Sequence, residues 1–214
     1  MDINFWHEKW RRGEIGFHRQ DINPHLLAHL HQLKLKSGQH ILLPLCGKTK
    51  DIAYLLNQGY QVTGVELSEL AVRELFEDLS LTPEVTQVAG FQCYSANKIR
   101  IFVGDFFSFN HDLLGKVDAI YDRAALVALP LAMRKDYSRH LSHITHCAPQ
   151  LLITYEYQQD AVEGPPFSIS EQEVFEHYAK AYEITLLERV DVAGGMKGKV
   201  ASTEVVYHLN TCSR

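Results

Sequence analysis

Several features that would place a chain at once are missing from this sequence. No apolar run reaches the roughly eighteen residues that a membrane helix needs, and the opening stretch MDINFWHEKWRRG has no apolar segment of the secretory kind. No block of like charges occurs and the net charge is -5, so there is no basic footprint for nucleic acid or an anionic membrane. The four cysteines, at 46, 93, 147 and 212, form no C-x-x-C pair, which favours free thiols in a reducing compartment over a disulfide frame or zinc site. Among twelve histidines there is no H-E-x-x-H. His140, His143 and His146 drift around their helix, and His29 and His31 cannot share a helical face, so no metal is expected. Internal repeats and low-complexity tracts are absent too. A soluble, cytoplasmic, monomeric protein is expected, its 214 residues forming one domain whose partner is a small molecule.

What the chain does have is a strand-turn-helix-strand stretch over residues 40–66, HILLPLCGKTKDIAYLLNQGYQVTGVE. Ile41, Leu42, Leu43 and Leu45 make the apolar run of a strand buried on both faces, and Cys46, Gly47 and Lys48 break it. Ile52, Ala53, Leu55 and Leu56 give the helix its apolar face, Gly59 stops it, and a second strand ends on Glu66. The turn carries only Gly47 in place of the three glycines that let a pyrophosphate approach, which argues against a nicotinamide-dependent dehydrogenase. An acid about twenty residues beyond the turn is where such a unit holds the two hydroxyls of a ribose. An acid closing a strand is also an ordinary α/β boundary, so the rest of the chain has to decide.

Strand-helix alternation continues from there. Asn23-Pro24 starts an early helix, Ser68 caps the helix after Glu66, and strands are predicted at 99–103, 117–122 and 150–157. Residues 80–98 are irregular and read as an excursion or hairpin. Ser170 and Glu173 predict a capping box, and segments 183–190 and 203–209 an antiparallel pair at the sheet edge. The fold class is therefore α/β: a single-domain Rossmann-like fold with a seven-stranded, mostly parallel sheet and a C-terminal antiparallel hairpin. Ligands in such sheets bind beyond the carboxyl ends of the strands, where Leu45, Glu66, Asp105 and Arg123 fall. Phe5, Trp6, Trp10 and Phe17 crowd the N-terminus, either as a docked helix or as a flap over a ligand.

The motifs FWHEKWRRGEIGFH (5–18), LLPLCGKTKDIAYL (42–55), GVELSELAV (64–72), YDRAALVALP (121–130) and GPPF (164–167) occur in one order along most of the chain. In this the sequence resembles the thiopurine S-methyltransferase family. The resemblance implies a methyltransferase fold over residues 1–214, with residues 1–35 as a helical flap over the cofactor site. It also implies S-adenosylmethionine as cofactor and a thiol on an aromatic or heterocyclic ring, such as a thiopurine, as methyl acceptor. Alternatives are selenium or tellurium compounds as acceptors, or a non-catalytic nucleotide-binding sensor. Carried over residue by residue, the cofactor positions fall on Trp10, Leu45, Glu66 and Arg123, with Trp6, Gly104 and Asp105 alongside, and Phe17 falls between cofactor and substrate. Two readings of Arg123 stand: it steadies an anionic substrate, or it pairs with Asp122 or the cofactor carboxylate. A substrate role for Lys197 or Lys199 does not follow, because the loop around them does not align with the vertebrate members.

Overall fold

Apolar residues in the central strands alternate between two cores, one on each face of the sheet. In β1 (His40–Pro44), Ile41 and Leu43 face one core and Leu42 the other. In β6 (Ala119–Arg123) and β7 (Gln150–Tyr157), Tyr121 and Leu151 join Ile41, while Ile120 and Leu152 join Leu42. A period of two buried on both sides requires helices on both faces. The first core is covered by α2 (Pro24–His29), α3 (Asp51–Asn57) and α4 (Glu69–Asp78). The second is covered by α5 (His111–Leu114), α6 (Leu131–Ile144) and α7 (Glu171–Tyr178).

The computed structural model describes residues 3–212. Residues 1 and 2, the start of the expected flap, and residues 213 and 214 lie outside the described residues. Among the described residues no helix is long and apolar enough to cross a membrane.

The sheet has nine strands in the order β3-β4-β5-β2-β1-β6-β7-β9-β8. Its middle is parallel: β5 (Ile99–Val103), β2 (Gln61–Glu66), β1, β6 and β7. The C-terminal pair, β8 (Tyr182–Asp191) and β9 (Ser202–Thr211), is antiparallel, with β9 lying against β7. The sequence led to seven strands. The other two are β3 (Glu84–Val88) and β4 (Phe91–Ala96), which turn residues 80–98 into a hairpin antiparallel to β5. Positive φ at Ala89 and Gly90, 48° and 89°, closes that hairpin in two residues.

Three helix starts follow the sequence reading. The Asn23 side chain accepts from the His25 N–H, Ser68 from Ala71 and Ser170 from Glu173. The capping box expected at Ser170 is only half made. Glu173 turns its carboxylate to Arg134, 2.8 Å away, instead of back to the cap, because that guanidinium is buried and needs an acid.

Candidate active site

The helices that follow β1 and β6 leave in opposite directions: α3 lies on one face of the sheet, while the chain after β6 packs on the other. Parallel neighbours that diverge in this way open a crevice at their carboxyl ends. The residues that leave the two strands, Leu45 and Ala124, both take left-handed conformations, with φ of 45° and 64°. Each such residue costs about 1 kcal/mol or more. Both line a cavity of about 760 Å³, a volume suited to a cofactor with a small substrate.

Glu66 forms the floor and is 7% exposed. One carboxylate oxygen accepts the Gly47 N–H at 2.8 Å and the other the Ser68 N–H at 2.8 Å. Burial raises its pKa, and the amides of Ser68, Gly47 and Leu67 pull it back. Each oxygen keeps a lone pair for another donor. Gly47 itself sits at φ 53°, and a Cβ there would stand 3.1 Å from Trp10 Cζ2. The indole thus packs close against the turn, and a side chain there would make it shift by a few tenths of an ångström.

Trp6 and Trp10 lie one helical turn apart on α1 (Ile3–Arg11), and Phe17 meets both edge-on at 5.8 and 5.5 Å between ring centroids. These three rings make one wall. Arg123, Tyr155, Met196, Lys197 and the 163–166 loop line the same cavity. The Lys197 ammonium donates to the Glu163 carbonyl at 2.7 Å, Lys48 pairs with Glu74, and Lys9 pairs with Glu14. Arg123 makes no ion pair among the described residues. Burial, with Lys48 and Lys50 nearby, lowers the pKa of His18 in the same cavity, which favours its uncharged form.

The expected pairing of Arg123 with Asp122 does not occur. Neighbours in a strand point to opposite faces, and Asp122 is fully buried, accepting from the Tyr137 hydroxyl at 2.8 Å and the Leu126 N–H at 3.2 Å. Burial pushes its pKa up to about 6. Cys46 is likewise a packed thiol: burial and the Glu66 charge raise its pKa well above the ordinary range, and its sulfur would stand 2.6 Å from a Cβ on Gly64.

Trp6, Trp10, Phe17, Leu45, Glu66 and Arg123 therefore share one cavity. Gly104 and Asp105 stand outside its wall, at the end of β5. The Gly104 N–H donates to the Glu66 carbonyl at 2.9 Å, and the Asp105 side chain caps Phe107. Tyr155 and His18 were not singled out by the sequence reading, and Lys197, for which a substrate role did not follow, lines the cavity as well. Tyr155 lies near the carboxyl end of a predicted strand, which was the available signal; Lys197 sits in a loop whose path no local pattern sets.

A sheet of this order, closed by an acid on its second strand, frames the methyltransferases that use S-adenosylmethionine. Among solved structures, a TehB-like SAM-dependent methyltransferase from Corynebacterium glutamicum is similar, with TM-score 0.57, 16% identity and 98% of each chain covered. So is the 1,6-didemethyltoxoflavin-N1-methyltransferase of Burkholderia thailandensis, solved with S-adenosylhomocysteine, with TM-score 0.63, 17% identity, and 97% of this chain and 87% of that one covered. In sequence, residues 1–211 match the thiopurine S-methyltransferase family. The thiopurine S-methyltransferase of Teredinibacter turnerae is 50% identical over 210 residues, 98% of each chain. That of Gluconobacter oxydans is 48% identical over 206 residues, 96% of this chain and 94% of that one. The chain belongs to the thiopurine S-methyltransferase family and is an S-adenosylmethionine-dependent methyltransferase.

Proposed function

We propose that this enzyme methylates the sulfur of a thiol carried on an aromatic or heterocyclic ring, thiopurines among them. The observation that carries the reading is Arg123, a guanidinium that lines the cavity without an ion-pair partner among the described residues, in company with the rings of Trp6, Trp10 and Phe17. A ring thiol ionises readily, so it calls for a fixed positive charge more than for a strong base. Arg123 supplies that charge, and the aromatic wall offers the flat surface on which a ring stacks.

The donor side of the cavity fits S-adenosylmethionine. Glu66 has acceptor capacity left for the ribose hydroxyls, and the bare Gly47 turn lets a ligand approach the backbone. When bound, the cofactor supplies a methyl group on a positively charged sulfur. Leu45 and the turn after it would hold its methionine and ribose portion, and Asp105, which stands just beyond the cavity wall at the end of β5, would have an oxygen to offer the adenine amino group. Trp6 and Trp10 would offer aromatic faces to the positive sulfur, an attraction worth on the order of 1 kcal/mol or more where water is excluded. The remaining task is alignment of nucleophile, methyl carbon and leaving sulfur. Residues 1–35 act as a flap that closes this arrangement. Hydrogen exchange over 3–20 with and without S-adenosylhomocysteine tests the flap, and identical protection in both states would remove it.

We also infer a cytoplasmic monomer. Its four cysteines are free, and its most exposed large apolar residues, such as Leu27, Leu131 and Phe175, lie on different helices. The deciding experiment supplies the protein with S-adenosylmethionine and, in turn, a thiophenol, a thiopurine, selenite and tellurite. Methylated thioether from the ring thiols is expected. Turnover of selenite or tellurite alone would redirect the acceptor, and cofactor binding without any turnover would make the protein a sensor.

A further inference from the structure

A second constellation lies away from the methyl-transfer cavity, on the face where α2 packs against the C-terminal strands. His25 and His29 are four residues apart on α2 and share one side of that helix. Glu188 of β8 meets both: the same carboxylate oxygen is 3.0 Å from His25 Nδ1 and 2.8 Å from His29 Nε2. All three ligand atoms lie within 4.8 Å of one another. The sequence led to no metal site: it set aside His140, His143 and His146 for their spacing and did not weigh His25 with His29. His140 bonds the Phe106 carbonyl, and His146 meets only His111.

A break in the β-ladder delivers the carboxylate. The register of β8 on β9 shifts between Leu186 and Glu188, so Glu188 pairs with Val206 where Leu187 would otherwise stand. An extra residue of this kind re-aims a side chain. Both Leu187 and Val206 pack in the core that α2 covers, and Glu188 is brought to that side as well. His25 is then held from behind. Its Nε2 lies 3.1 Å from Glu204, which is 9% exposed and accepts the Tyr155 hydroxyl at 2.8 Å on its other oxygen. A carboxylate on the remote nitrogen keeps a proton there, the usual support for a histidine that binds a metal, and an ion at Nδ1 would take the place of the proton which that nitrogen donates to Glu188.

We propose that His25, His29 and Glu188 bind a divalent transition metal of the zinc type. Two imidazoles and one carboxylate suit zinc, with nickel and copper as competitors, and offer too few oxygens for calcium or magnesium. Bonds of about 2.0–2.2 Å would set the ligand atoms about 3.3 Å apart. The carboxylate therefore has to draw back a few tenths of an ångström from each ring, and the two ring nitrogens, which lie within 4.8 Å of one another, have to settle at the same spacing. Glu188 keeps 38% of its side chain exposed, which leaves a side open for water as the fourth ligand. Such an ion would pin α2, the helix that follows the aromatic wall in the chain, to β8.

The test titrates the full, tag-free, chelator-stripped protein with zinc by calorimetry and with cobalt by visible absorption. One equivalent is expected, with the absorption of a tetrahedral centre. His29→Ala and Glu188→Gln should each weaken binding by about tenfold or more, and Glu204→Gln should also weaken it measurably. Glu188→Gln keeps the side-chain shape, and S-adenosylhomocysteine binding by each variant reports whether it is folded. His146→Ala and Cys212→Ser, which remove two exposed ligands elsewhere on the surface, should change nothing. No binding at millimolar zinc, or binding that survives both His29→Ala and Glu188→Gln, would overturn the assignment.

Discussion

Glu66 and Arg123 close the two strands that flank β1, and both face one cavity, yet the fold treats their charges in opposite ways. Glu66 is buried and fixed by two backbone amides before any ligand arrives. Arg123 is half-buried and makes no ion pair among the described residues. A carboxylate locked by the main chain is preorganised for one invariant partner, and in the proposed function that partner is the ribose of the donor. A long cation without an ion pair can follow acceptors of different shape. The proposed function thus pairs a rigid donor half of the cavity with an adaptable acceptor half.

The largest expected effect tests the rigid half. Glu66→Gln sets an amide nitrogen against the Gly47 or Ser68 N–H, a buried donor-donor conflict worth about 1–3 kcal/mol. Calorimetric titration should show S-adenosylhomocysteine affinity falling by about tenfold to a hundredfold; retained affinity would separate Glu66 from the cofactor. Arg123→Lys keeps the charge and loses the planar fork. Turnover of an aromatic thiol should fall about tenfold, with S-adenosylhomocysteine affinity nearly unchanged. An equal loss in both measurements would erase the division between the halves.

Gly47→Ala should be milder. The left-handed φ of 53° costs a side chain about 1–2 kcal/mol, and the Trp10 ring has to shift, so thermal melting should move down by a few degrees. An unchanged melting point would mean that the turn relaxes freely. The smallest effect is the pH response. Burial raises the Glu66 pKa above the ordinary carboxyl range. The ligand-free fold therefore gains its Glu66 contribution at low pH and loses it as pH rises through that raised value. Cofactor affinity needs the ionised acid and should run the other way, weakening a few-fold as pH falls through the same value. Parallel trends in melting and binding would exclude Glu66 as their common origin.

Much of the fold was legible because burial leaves a periodic mark. The run from Ile41 to Leu43 reads as a strand covered on both faces, and Asn23, Ser68 and Ser170 announce helix starts through the hydrogen bonds they make. The hairpin was one of two readings of residues 80–98, and its edge strand β3 was not counted among the strands because each of its residues is exposed, so no apolar face marks it. Glu173 was misjudged for a different reason: its rival partner, Arg134, comes from another helix, and local spacing carries no trace of such a contact. In the cavity, strand-end rules found Leu45, Glu66 and Arg123. They placed Gly104 and Asp105 at the correct edge but could not say that the wall stops short of them. Which loop arches over the site was unreadable, and Lys197 was left undecided with it.

The position of the indole rings has a practical consequence. The chain has only two tryptophans, and both stand in the wall of the methyl-transfer cavity. Intrinsic fluorescence excited at the indole band therefore samples this one place, with no background from tryptophan elsewhere in the molecule. Quenching or a spectral shift on adding a ligand would report occupancy in real time, in the unlabelled protein, and would time the approach of donor and acceptor separately.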